Sequence, residues 1–148
     1  MGERLWVTSH VERLLQEEWN VCRVEPDADG DYPFRDGTAA CWVRVLEGQP
    51  TMVRVFAHAA RDIKPSLKLY DELNAIAQRA LSAAILVQDG VVVVQQTISP
   101  IELTAPVLRQ AMLAVGGVAD DIGVLLASMF NGVTPHPSVE PSTAEGAA

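Results

Sequence analysis

TAACWVRVLEGQPTMVRVFA, residues 38–57, carries the clearest structural pattern in the chain. As far as Leu46 its residues alternate, setting Ala39, Cys41, Val43 and Val45 on one side and Ala40, Trp42, Arg44 and Leu46 on the other. That is the period of a half-buried strand. Glu47, Gly48, Gln49 and Pro50 supply turn chemistry, and residues 51–57 then separate Val53 and Val55 from Met52, Arg54 and Phe56, which predicts a hairpin. A slip of one residue would turn both arginines onto the valine face, where an unpaired charge is very costly. The register therefore predicts that Arg44 and Arg54 share a face.

Working outward toward the start of the chain, Ser9 and Glu12 have capping-box spacing. Val11, Leu14 and Leu15 follow at helical intervals, predicting a first helix from Ser9 to Trp19. Residues 20–24 read as a strand, residues 25–31 as an acidic turn, and Pro33 keeps Tyr32 and Phe34 extended. Toward the other end, Pro65 fits the first turn of a second helix whose stripe is Leu67, Tyr70, Leu73, Ile76, Ala77 and Ala80, ending near Leu81. Asp89-Gly90 then joins residues 84–87 to residues 91–94 in a second hairpin, because both turn residues tolerate the positive φ of a type I′ turn. Ile85, Val87, Val92 and Val94 lie on one side of it, Leu86 and Val93 on the other. With both faces apolar, either these strands are central or a second molecule covers them. Thr104 caps a last helix with Pro106 in its first turn and a stripe running from Leu108 to Met129, weakened at Gly116-Gly117, where a bend or a close backbone approach is expected.

With 148 residues, 49% of them hydrophobic, the chain is long enough for one domain with its own core. The sequence divides into an amino-terminal lead (1–8), that domain (9–131) and a tail (132–148) rich in Pro, Ser, Thr and Ala that reads as disordered. Eleven basic residues against 19 acidic ones give a net charge of -8, which disfavours nucleic acid and anionic membrane surfaces as partners. Cys22 and Cys41 match neither a redox pair nor a zinc site, so both read as small buried side chains in a reducing cytoplasm. Residues 1–7 carry no secretory pattern. The apolar run 85–94 is much shorter than the roughly 20 residues of a membrane span, so the protein reads as soluble.

The element order helix, strand, hairpin, helix, hairpin, helix accompanies Tyr32-Pro33-Phe34-Arg35-Asp36-Gly37-Thr38-Ala39-Ala40, which leads into Trp42-Val43-Arg44-Val45-Leu46. Val53-Arg54-Val55-Phe56, the Leu-Tyr-Asp-Glu-Leu-Asn pattern of Leu69 to Asn74, and Leu103-Thr104 follow. Over residues 9–130 this resembles the YbjN-like proteins of the type III secretion chaperone superfamily. The resemblance implies an α/β (α+β) fold in the order α-β-β-β-α-β-β-α, with a single antiparallel sheet of about five strands packed by three helices. It also implies a cytoplasmic, chaperone-like, non-enzymatic protein that binds peptide segments of partner proteins, and a homodimer. The family has no catalytic residues to carry over.

The residues themselves suggest two surfaces. Trp42, Arg44, Met52, Arg54 and Phe56 join flat apolar area to fixed cations, a composition enriched at protein-binding hot spots. Trp19 adds an aromatic at the end of the first helix. The competing reading covers Trp42 and Phe56 with a helix of the same domain and pairs the arginines with carboxylates such as Glu25 or Asp36. Leu86, Val91 and Val93 are the expected dimer contacts if the second hairpin is an interface, as it would be in a self-associating structural or regulatory subunit. Asp27, Asp29 and Asp31 read as a solvated turn, since the spacing departs from a calcium loop. His10, His58 and His136 are too scattered for a metal site. No phosphate loop, nucleophile–base pair or cofactor motif is present in the sequence.

Overall fold

A computed structural model describes residues 2–80 and 82–138. The order is α1 (Gly2–Trp19), β1 (Tyr32–Asp36), β2 (Ala39–Leu46), β3 (Met52–Ala60), α2 (Leu67–Ala77), β4 (Ala84–Gln88), β5 (Val91–Ile98) and α3 (Ala105–Met129). The five strands make one sheet in the order β1-β2-β3-β5-β4, every neighbouring pair antiparallel. The expected element order, strand number and helix number are all present.

Both hairpins form in the predicted register. Arg44 lies directly opposite Arg54, and Gln88 opposite Val91 around Asp89 and Gly90, whose φ values of 51° and 78° are the pair that a type I′ turn needs. The second hairpin is neither wholly central nor wholly peripheral, since β5 pairs with β3 inside the sheet while β4 is an edge.

Three boundaries differ from the sequence expectation. Residues 1–8 do not form a separate lead: from Gly2 on they are the first turns of α1, because Val7 extends the Val11, Leu14, Leu15 stripe by one turn and all four are buried. Residues 20–24 are not a strand. Asn20 takes a left-handed φ of 51°, its N–H donates to the Glu17 carbonyl and that of Val21 to the Gln16 carbonyl, so these residues end the helix in a Schellman cap. The first strand is instead Tyr32–Asp36, the segment held extended by Pro33. In α2 the cap is Ser66, whose Oγ accepts from the Leu69 N–H; Pro65 stands just before it, and the helix stops at Ala77. Leu81, the expected end, lies outside the described residues.

α3 begins as expected, with Thr104 Oγ1 accepting from the Val107 N–H and Pro106 in the first turn. It continues as one helix through Gly116-Gly117. Gly116 allows close approach to Asp36, where an added Cβ would stand 2.6 Å from Asp36 Oδ2. Gly123, which the sequence reading passed over, is tighter: a Cβ there would stand 2.3 Å from the backbone oxygen of Ala59. Among the described residues α3 is the one helix long and apolar enough to cross a membrane by length and composition, a stretch longer than the run 85–94. In the fold its stripe from Leu108 to Leu126 packs into the sheet instead.

The core is one cluster. Val7, Val11, Leu14 and Leu15 of α1, Leu69, Leu73 and Ile76 of α2, and the α3 stripe meet Cys41, Val43, Val53, Val55, Ala57, Val92, Val94 and Ile98 of the sheet. Residues 132–138 run back along the domain. Arg61 and Val133 exchange backbone hydrogen bonds of 2.7 and 2.9 Å, and the His136 N–H donates to the Thr38 carbonyl. Most of the expected tail, residues 139–148, lies outside the described residues.

Candidate functional site

The alternation that sends Val43 and Val55 into the core sends their neighbours to the opposite face of the sheet. Register places Trp42 opposite Phe56, Ala40 opposite His58, Leu46 opposite Met52, His58 opposite Val93, and Val93 opposite Leu86. Facing partners share a side, so Trp42, Arg44, Met52, Arg54, Phe56, Leu86, Val91 and Val93 all lie on one continuous surface. None of them belongs to the helix-packed cluster or packs against it. All three helices bury their apolar stripes on the other side. Among the described residues no helix covers Trp42 and Phe56, in contrast to the competing reading.

The surface is organised around stacked rings. Trp42 and Phe56 stack with centroids 5.2 Å apart and 19° between planes, and His58 tilts against Trp42 at 4.7 Å. Phe56 is buried and Trp42 half-buried, and none of the described helices covers them. The Arg44 guanidinium lies 4.6 Å above the Phe56 ring. Its Nε and Nη2 donate to Asp31 Oδ1 and Oδ2 at 2.8 and 2.6 Å, a bidentate pair. The carboxylate partner is therefore Asp31, in place of the expected Glu25 or Asp36.

Asp31 corrects a second expectation, because the acidic turn is not simply solvated. Asp27 Oδ1 accepts from the N–H groups of Asp29 and Asp31 at 3.0 and 2.9 Å, which folds the turn back on itself, and Asp31 is only 3% exposed. Arg54 Nε donates to Thr97 Oγ1 at 3.0 Å. Arg61 reaches the same surface, donating from Nε and Nη2 to His58 Nδ1 at 3.3 and 3.1 Å. Burial above all, then the charges of Arg61 and Arg44, lower the pKa of His58 below the ordinary imidazole value and favour the neutral ring.

Trp19 does not join this surface. It packs beside the helix core at the far end of α1. Cys22 is exposed rather than buried, since it follows the Schellman cap on the surface, whereas Cys41 is buried in the core. Burial, helped by the nearby charge of Asp36, pushes the Cys41 thiol up to about 12, which leaves it unreactive at neutral pH. Sequence reasoning missed a further patch on α1, where Leu5 and Trp6 are exposed beside His10 and line a shallow groove of about 710 Å³ with Ser9 and Arg13. The signal was the Val7–Val11 spacing, which already extended the helix over them. Among the described residues no group of three His, Cys, Asp or Glu side chains is placed to hold a metal ion.

Comparison with known proteins adds three findings. The family model described as T3SS (YopN, CesT) and YbjN peptide-binding chaperone 1 matches residues 6–138. A chain of the crystal structure of the ExsC–ExsE complex superposes with a TM-score of 0.63 at 17% identity, covering 80% of this chain and 95% of that one. A chain of the HopA1–SchA chaperone–effector complex superposes with a TM-score of 0.64 at 14% identity, covering 82% and 95%. At such identities these likenesses establish the fold. No curated protein sequence matches.

Proposed function

Because the chain belongs to this family of T3SS and YbjN peptide-binding chaperones, we propose that it is a cytoplasmic, non-enzymatic binding module that holds a segment of a partner protein against the outer face of its sheet. One observation carries the reading. Among the described residues the face opposite the helices has no layer over it, and it presents a Trp42–Phe56 stack flanked by Arg44 and Arg54. Apolar burial at roughly 25 cal/mol per Å² supplies the affinity, and the arginines select the partner. The structural neighbours support the reading, since both come from complexes and the HopA1–SchA structure is one of a chaperone with an effector.

The test is affinity purification from the native cell with the wild-type chain and with Trp42→Ala, read by quantitative mass spectrometry. Proteins enriched by the wild type should fall at least tenfold with the variant while its thermal unfolding stays within a few degrees. Equal recovery by both chains contradicts the assignment of this face.

A second reading rests on Leu86, Val91 and Val93, which extend the same face from β5 to the edge strand β4. A second copy of the chain meeting this end would make a homodimer, the expectation drawn from the resemblance. Leu86→Lys, at a half-buried position, should then give a monomer by light scattering at micromolar concentration. An unchanged mass excludes this interface.

A further inference from the structure

The chain is acidic, with a net charge of -8, but its strands place no Asp or Glu on the outer face. They place Arg35, Arg44, Arg54 and His58 there, and Arg61 reaches in from the end of β3. Arg44 and Arg54 stand directly opposite each other, an arrangement that like charges disfavour. Asp31 relieves only Arg44. Among the described residues neither Arg54 nor Arg61 forms a salt bridge, and their side-chain partners are a threonine hydroxyl and a neutral imidazole. These two cations lie on either side of the aromatic stack. Arg54, Phe56 and His58 alternate along β3, so the Arg54 and His58 positions are roughly 13 Å apart at the usual strand rise.

From this charge complementarity we infer that the partner segment is extended and acidic, with one carboxylate meeting Arg54, an apolar side chain two residues on lying over Trp42 and Phe56, and a second carboxylate two residues further meeting Arg61 and His58. The inference rests on the peptide-binding reading and specifies the chemistry of the segment. Binding of this kind depends on pH. The charged groups facing His58 are Arg61 beside it and Arg44 from β2; the other residues of β2 and β5 that adjoin it, Ala40, Trp42 and Val93, do not titrate. In the free protein both cations oppose protonation of His58. An incoming carboxylate reverses that balance, the bound complex holds the proton more tightly, and affinity rises as pH falls through the imidazole range.

The probe is a phage-displayed library of random 12-residue peptides selected on the full chain at pH 6.0. The expected pool carries Asp or Glu four residues apart around an apolar residue, and Arg54→Glu with Arg61→Glu exchanges that bias for Lys and Arg. A synthetic peptide from the pool should bind about threefold more tightly at pH 6.0 than at 7.5, the effect of a one-unit pKa rise that starts below the ordinary imidazole value, and His58→Asn should remove the difference. A Trp42-dependent pool without acidic bias overturns this inference and leaves peptide capture standing. A pool indifferent to Trp42 overturns both. Recovery that rises tenfold with Glu140→Gln and Glu145→Gln assigns the seats to the chain's own acidic residues and likewise overturns the inference.

Discussion

Val43 and Trp42 are adjacent in the chain, and their two faces of the sheet are built from the same strands with opposite outcomes. On the Val43 side three helices close over small aliphatic residues, and Val43, Val53, Val55, Val92 and Val94 are completely buried. On the Trp42 side large rings shield one another, an arginine lies over them, and no helix of the described residues arrives. A face made of Val and Ala is smooth enough for α3 to approach until Gly123 meets the backbone of Ala59. A face made of Trp, Phe and Arg is too rough for such an approach and retains charges that a covering helix would have to neutralise. The difference separates a side that the chain seals with its own helices from a side that the described helices leave open.

The comparison breaks most severely if the sealed side receives a charge. Val55→Asp buries an unpaired carboxylate at the centre of the core and should cost more than about 4 kcal/mol, enough to abolish cooperative thermal unfolding. Next comes Gly123→Ala, which forces α3 away from β3 because the obstructing atom is backbone; a loss of about 3 kcal/mol in urea denaturation is expected. Smaller again is Arg44→Met on the open side. It leaves the buried Asp31 carboxylate without its partner, but the Arg44 side chain is 43% exposed, so water moderates the loss to about 2 kcal/mol. Asp31→Asn together with Arg44→Met should recover most of that. Trp42→Ala should cost least, about 1 kcal/mol, the worth of an aromatic pair, while removing partner binding. A Trp42→Ala loss as large as that of Gly123→Ala would show that the two faces do not differ as described.

Much of this was legible in the sequence. Strict alternation in residues 38–57 set the faces, Asp89-Gly90 set the second hairpin, and Thr104 with Pro106 set the start of α3, because each signal is local and stereochemical. The misreadings share one cause. Residues 20–24 have the composition of a strand, yet their backbone groups are taken by the end of α1. The capping-box spacing of Ser9 and Glu12 occurs by chance inside a helix that tertiary burial of Val7 extends to Gly2. At the site, the shared face of Trp42, Arg44, Arg54 and Phe56 followed from register alone. That Leu86, Val91 and Val93 continue the same face required the pairing of β5 with β3, a long-range contact that no local pattern encodes. The Asp31–Arg44 pair was hidden for a similar reason, since the Asp27 turn must fold back to deliver it.

The most direct test of the account is a heteronuclear NMR titration with a peptide selected on the full chain. The Trp42 indole N–H and the signals of Phe56, His58 and Arg54 should shift progressively while the methyl groups of Val43 and Val55 stay in place. Shifts concentrated on the helices, with the Trp42 indole unmoved, would contradict it.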